Sequence, residues 1–304
     1  VTAPVVSTGK LSSGKRILIY GPGGVGKSTL AAQFPKPIFF DPTEGTKNID
    51  TTRFKDASTW GLLLEYVRFL AVGDHGYLTF VIDELTEVER MSHDHTCEKA
   101  HKPCIDDSIK GGFGWDKGYK AARIEWLSLI NELELLTAKG INVVLLGHST
   151  TERFKNPEGE DYDRFNLSCH KTLAALLFEW CDAYMFARNS VAVAMTEKTK
   201  KSFAVSAGDR VLHTVEEPAF WAKNRYGLPD EVPLSYDSLA EAIEADSTEP
   251  REFVNEIKDI CEEILDKELS ALILSKLPIA NNNTKLIQLL NYARKRKQQE
   301  IEND

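Results

Sequence analysis

The stretch from Arg16 to Leu30, RILIYGPGGVGKSTL, limits what this chain can fold into more than any other. Ile17 to Tyr20 read as a short buried strand. Gly21-Pro22-Gly23-Gly24-Val25-Gly26-Lys27-Ser28 then completes a G-x-x-x-x-G-K-[ST] loop. Its glycines let backbone N–H groups turn inward around a phosphate, and the helix expected from Ser28 to Gln33 points its positive end at the same anion. Lys27 is expected to reach the β and γ phosphates, Ser28 to hold Mg²⁺, and Thr29 beside it to add a phosphate contact. A glycine-rich turn matching by chance would not come with a strand before it and a helix after it.

A phosphate loop needs an acid for its metal, and YLTFVIDELTEVER supplies one. Leu78 to Ile82 form a second apolar run that stops at Asp83 and Glu84. Asp83 is the expected partner of Mg²⁺, held through water. A third run, KPIFF, ends in Asp41, with Glu44 shortly after it. A fourth, INVVLLGHST, ends in Gly147-His148-Ser149-Thr150. Open α/β sheets bind ligands at the carboxyl ends of their strands. Asp41 and Glu44 are therefore expected to face a nucleotide, one of them polarising the attacking water. His148 either senses the γ-phosphate or caps its strand.

The apolar runs alternate with helical patterns near 58–72, 86–101 and 119–138. That order predicts an α/β fold with a mostly parallel twisted sheet and helices on both faces. Beyond residue 150 the texture changes. TERFKNPEGEDYDRFN reads as a polar loop and KTLAALLFEW as a helix. DAYMFAR, VAVAM, KSFAV and RVLHT read as four short antiparallel strands joined by the turns TEKTKK and SAGD. Three regions follow: a flexible tail over 1–14, a core over 15–245, and a small helical appendage over 246–304, with ADSTEPR as the linker.

The net charge of −9 argues against a generic nucleic-acid coat but leaves room for a basic channel on an acidic body. No apolar run approaches the roughly 20 residues of a membrane span, and the first residues lack the apolar stretch of a signal peptide. Five cysteines without framework spacing suggest reduced thiols in a cytoplasm.

Taken with FVIDEL, GGFGWDKGYKAA, VVLLGHS, KTLAALLFEWCDAYMFA and AKNRYGLPDEVPL, the P-loop resembles that of bacteriophage-type P-loop ATPases with a minimal RecA-like core. These include phage single-strand annealing proteins related to RecA recombinases. The resemblance covers about residues 15 to 245. It implies a RecA-like fold, Mg-ATP binding and hydrolysis, and single-stranded DNA as partner. Annealing or recombination beside a single-strand-binding protein, in a homo-oligomer, is implied as well. RecA-type cores carry the water-activating Glu as D-x-E after the strand that follows the P-loop helix. Here the spacing is one residue longer, a departure that brings in Glu84 as a rival base, as in AAA-type ATPases; Glu44 is favoured for the geometry expected at the sheet edge. The strand that ends in a Gln sensor in RecA ends here in His148.

DNA contacts are expected from two loops. The first, SIKGGFGWDKGYK, offers Lys110, Lys117 and Lys120 to phosphates and Phe113, Trp115 and Tyr119 to bases; the second offers Arg153, Lys155 and Arg164 with Phe154 and Phe165. The rival reading is a P-loop switch or loader that acts on a protein partner through the C-terminal helices. A small-molecule kinase is weaker still, for want of an arginine-rich lid. His93, His95, Cys97, His101 and Cys104 invite a zinc reading, but an amphipathic helix accounts for them better. The run ARKRK near the C-terminus reads as a solvated helix end, with a DNA arm as the alternative.

Overall fold

The computed structural model describes residues 13–195 and 202–244, and parts of the segment 257–297. The chain divides into two compact units, Ser13–Ala240 and a second drawn from Glu241–Asp304. The calls on residues 1–12, the turn TEKTKK and the linker ADSTEPR lie outside the described residues.

The first unit is built on one ten-stranded sheet. Its main path runs β10 (Glu231–Pro233), β8 (Ser202–His213), β7 (Ala183–Met195), β1 (Arg16–Gly21), β5 (Asn142–Phe154), β4 (Thr79–Asp83), β2 (Pro37–Phe40), β3 (Thr52–Arg53); β6 (Tyr162–Leu167) pairs with β5 and β9 (Lys223–Asn224) with β7. From β7 to β3 every pairing is parallel, whereas β8, β10, β9 and β6 add antiparallel strands. The phosphate-loop strand thus lies at the centre, and one strand, β5, separates it from the acid-tipped β4. This is the α/β fold that the sequence implied, a mostly parallel sheet with antiparallel extensions.

Parallel strands covered on both faces read as unbroken apolar runs. Leu18, Tyr20, Phe40, Phe80, Ile82, Val143 and Leu145 share one core with Trp60, Leu63 and Val67 of α2 (Trp60–Val72), Leu85 and Val88 of α3 (Leu85–Lys99), Trp126, Leu129 and Leu133 of α4 (Lys117–Ala138), and Leu173 and Leu177 of α5 (Lys171–Trp180). The alternate residues Ile17, Ile19, Phe39, Val81, Val144 and Leu146 are equally buried, on the face that α1 (Lys27–Ala31) covers with Leu30. Each such aliphatic side chain contributes about 1.5–3 kcal/mol by leaving water. Local signals set the helix ends: Thr59 Oγ1 accepts the Leu62 amide at 3.2 Å to start α2, and Gly140, at φ 82°, follows α4.

Two expectations are corrected. TERFKNPEGEDYDRFN is not a loop: β5 continues to Phe154 and returns as β6, pairing Ser149 with Leu167 through Phe154 with Tyr162. SAGD is not a turn either. It lies within β8, where a register shift between Asn189 and Val191 forms a bulge that Gly208 accommodates at φ 83°.

In the second unit a helix over Lys267–Lys276 carries Ile273 into a small core with Ile257, Ile260, Cys261, Ile264 and Ala293. Ser270 Oγ donates to the Cys261 carbonyl at 2.6 Å, tying the two stretches together.

Candidate functional site

Strand register brings the candidate residues to one edge. Gly21 is opposite His148 across β1–β5, and Asp83 is opposite Leu146 across β4–β5. Phe40 pairs with Ile82, so Asp41 leaves β2 beside Asp83.

The P-loop turns at Gly24 (φ 75°) and Gly26 (φ 108°), the latter starting α1 from a left-handed conformation that residues with a Cβ rarely adopt. Val25 is buried; Pro22, Gly23, Gly24 and Thr29 are exposed. Lys27 is only 7% exposed, and its ammonium donates to the carbonyls of Gly21 and Pro22, each at 2.9 Å. Burial lowers its pKa, while the charges of Asp83 and Glu84 act the other way. The lysine is thus folded against its own loop, within the field of both acids.

Asp83, 8% exposed, accepts a hydrogen bond from the Ser28 side chain. Burial pushes its carboxyl upward against the Ser28 bond and Lys27, and the neighbouring Asp41 and Glu84 add to the rise. Its Oδ2 is buried without a hydrogen-bond partner, as is Oε2 of Glu84. Buried carboxylate oxygens left unpaired are costly. Beside a serine hydroxyl they form a hard-oxygen donor set that suits Mg²⁺. Ser28 and Asp83 are the residues that fit the metal, with Glu84 adjoining them across a cis peptide bond.

His148 stands between the loop and the acids. Its Nε2 lies 3.4 Å from Glu84 Oε2, and its Cε1 would touch a Cβ placed on Gly23 at 3.7 Å. It does not cap a strand end, because β5 runs on past it.

The two acids after β2 fare differently from Glu84. The Asp41 carboxylate is absorbed by its own loop, accepting from the amides of Gly45 (3.1 Å) and Thr46 (2.8 Å) and from the hydroxyls of Thr46 (2.5 Å) and Thr43 (3.2 Å). Glu44 has a side chain 66% exposed and pairs with Lys47. The structure therefore gathers Lys27, Ser28, Asp83, Glu84 and His148, and leaves Glu44 at the surface.

One residue the sequence reading missed reaches the P-loop from β8. A Cβ on Gly26 would lie 3.0 Å from Arg210 Nη1 and 3.3 Å from Leu234 Cδ2. Nothing in the local sequence around either residue signals this proximity.

The expected DNA loops are also placed. In the first, Trp115 is 86% exposed, and Lys110, Lys117 and Lys120 are exposed with no ion pair among the described residues. Phe113 is half-buried. The glycines serve close packing: a Cβ on Gly112 or Gly118 would run into the carbonyls of Asp106 or Ile105. Tyr119 lies flat on His170, ring centroids 3.9 Å apart. On the β5–β6 hairpin Arg153 pairs with Asp163 at 3.3 Å and Lys155 is exposed. Arg164 is a correction. It is 4% exposed, pairs with Glu216, donates to the carbonyls of Glu217 and Phe220, and stacks 3.9 Å over Trp221, so it is not presented to DNA. Of the zinc candidates, His93 packs on Tyr119 and His95 faces Glu125 at 3.6 Å; no group of three or more potential metal ligands occurs among the described residues.

The AAA domain family AAA_24 matches residues 13–226, which spans every strand of the sheet except β10 and holds Lys27, Ser28, Asp83, Glu84 and His148. This chain belongs to that AAA domain family. The AAA domain is similar to the SPbeta prophage-derived uncharacterized protein YorG of Bacillus subtilis (strain 168), with 24% identity over 144 residues. That alignment covers 46% of this chain and 42% of YorG, so the chain matches less than half the length of this relative. The crystal structure of the RadB recombinase aligns with 71% of this chain and 93% of its own at 14% identity and a TM-score of 0.36. The fold assignment rests on strand order and register, not on that alignment. Among the described residues no helix of the AAA domain is long and apolar enough to cross a membrane.

Proposed function

We propose that this AAA domain binds and hydrolyses Mg-ATP, and that hydrolysis is coupled to single-stranded DNA held by the loop before α4. The observation that carries the ATPase reading is the pair of buried carboxylate oxygens on Asp83 and Glu84, neither of which accepts a hydrogen bond, beside the P-loop. Bound Mg²⁺ would neutralise charge on the phosphates; Ser28 and Asp83 would hold it. Lys27 would exchange its two loop carbonyls for phosphate oxygens, a stronger, charge-assisted pairing. Glu84, rather than the exposed Glu44, would take the proton of the attacking water, with His148 holding its carboxylate in place.

Support for the DNA partner is the exposed Trp115 beside three unpaired lysines. Aromatic faces stack on bases only where these are unpaired, at ~1–3 kcal/mol each, and lysines follow the backbone. A physical route joins this loop to the nucleotide. Glu84 opens α3; Glu89 on α3 accepts the His170 amide at 3.0 Å; the His170 ring stacks on Tyr119 in the first turn of α4. A nucleotide biases the loop only if it binds two arrangements of this chain unequally.

The test titrates a labelled poly-thymidine strand and its duplex with and without Mg-ATP. Tighter single-strand binding with Mg-ATP, with an affinity that falls as salt rises, supports the reading. In the Lys110, Lys117 and Lys120 triple alanine variant the affinity should drop and the salt slope flatten while ATP binding persists. Unchanged strand binding by that variant would move the output to a protein partner.

A further inference from the structure

Arg210 occupies an unusual position for a residue on an antiparallel extension strand. Its Nη1 and Cδ approach Gly26 so closely that a Cβ there would lie 3.0 and 3.9 Å from them. Gly26 is the last loop residue before Lys27 and Ser28, whose N–H groups begin α1. A phosphate oxygen held by those N–H groups lies within a few ångström of Gly26, roughly the reach of a side chain already resting on it.

Two features of the fold aim Arg210 there. The bulge around Gly208 comes immediately before it, and bulges re-aim the side chains that follow. Its backbone carbonyl accepts the Leu234 amide at 2.9 Å, which fixes β8 against β10 and brings Leu234 onto the same glycine. The nearby Arg188 is already committed, its Nε bonded to His213 Nε2 at 2.9 Å. Arg210 has no ion pair or side-chain hydrogen bond among the described residues, although it is exposed and flanks a loop built to hold an anion.

We propose that Arg210 is a nucleotide-binding residue that acts in cis, its guanidinium pairing with the polyphosphate of the nucleotide on its own P-loop. A planar fork of donors suits phosphate oxygens, and Lys at this position would supply charge without the fork. The inference rests on the ATP reading above and extends it to a second cation, contributed by a strand far from the P-loop in sequence.

The experiment measures Mg-ADP and Mg-ATP binding to the full chain by calorimetry, with tripolyphosphate as a competitor, for the parent, Arg210→Ala, Arg210→Lys and Lys27→Ala. Arg210→Ala should weaken Mg-ADP about tenfold and weaken tripolyphosphate competition in step, at an unchanged Tm, with Arg210→Lys between it and the parent. Mg-ADP binding by Arg210→Ala equal to the parent's, alongside a loss in Lys27→Ala, overturns the inference and leaves the ATP site standing. A parent that binds no nucleotide overturns both. Mixing Arg210→Ala with Lys27→Ala protein separates cis from trans. A residue acting in cis gives no recovery of ATP turnover, whereas one lent to a neighbouring copy restores part of it and overturns the cis assignment.

Discussion

The imidazole of His148 faces the carboxylate of Glu84, Nε2 to Oε2 at 3.4 Å, from a strand that lies between the P-loop strand and β4, which Glu84 follows. In the proposed mechanism His148 is a positioning residue for the acid. His148→Ala should lower kcat by up to about 10²-fold, the cost of a misplacement near 1 Å, with little change in KM. Equal losses in kcat and nucleotide affinity would instead make His148 a binding residue.

Lys27 is buried with two carbonyls and two acids for company. Lys27→Ala should weaken Mg-ATP binding and abolish phosphate release, because the γ-phosphate loses its cation. Unchanged turnover in this variant would remove the nucleotide reading altogether.

Arg164 ties β6 to the turn at 216–221 through Glu216, two carbonyls and the face of Trp221. Its replacement by Ala should cost about 2–3 kcal/mol, seen as a Tm lower by roughly 5–10 °C in a unit of this size. Arg153→Ala, at an exposed pair, should cost no more than about 1 kcal/mol, a Tm lower by at most roughly 2–4 °C. A thermal melt of each variant decides between these roles, and equal melts would contradict the assignment.

Burial pushes the Glu89 carboxyl up to about 7 from an ordinary 4.5, although the His170 amide and the Cys169 thiol hydrogen-bond to it. Between those two values the folded chain holds a proton that the unfolded chain has lost. Stability contributed by this group therefore falls as pH rises through that window, by roughly 3 kcal/mol. His93, beside it, has its pKa lowered by burial and acts in the opposite sense. Glu89→Gln removes only the first effect. Urea midpoints measured from pH 5 to pH 7.5 should therefore fall less in the variant than in the parent; parallel curves would contradict the assignment.

The sheet was legible because its strands are local and unambiguous: ILIY, IFF, FVI and VVLL are apolar throughout and each stops at the edge where the chemistry gathers. The P-loop is equally local. What the sequence concealed depends on distant partners. TERF and YDRFN look like a polar loop because the buried position within the hairpin, Arg164, is itself charged, so no apolar alternation shows. Arg164 reads as a surface cation until Glu216 and Trp221 fold onto it. The choice between Glu44 and Glu84 turns on where Asp41 spends its oxygens, and spacing does not show that. Arg210 meets Gly26 only through the order of β8, β7 and β1.

The acid that activates water is the centre of this account, and one pair of variants tests it most directly. Single-turnover hydrolysis of Mg-ATP is measured for Glu84→Gln and Glu44→Gln, with Mg-ATP binding measured on the same samples. The account predicts that Glu84→Gln keeps binding, because Ser28 and Asp83 still hold Mg²⁺, and loses hydrolysis by about 10²-fold or more, while Glu44→Gln stays close to the parent. Hydrolysis lost in Glu44→Gln and kept in Glu84→Gln would contradict it.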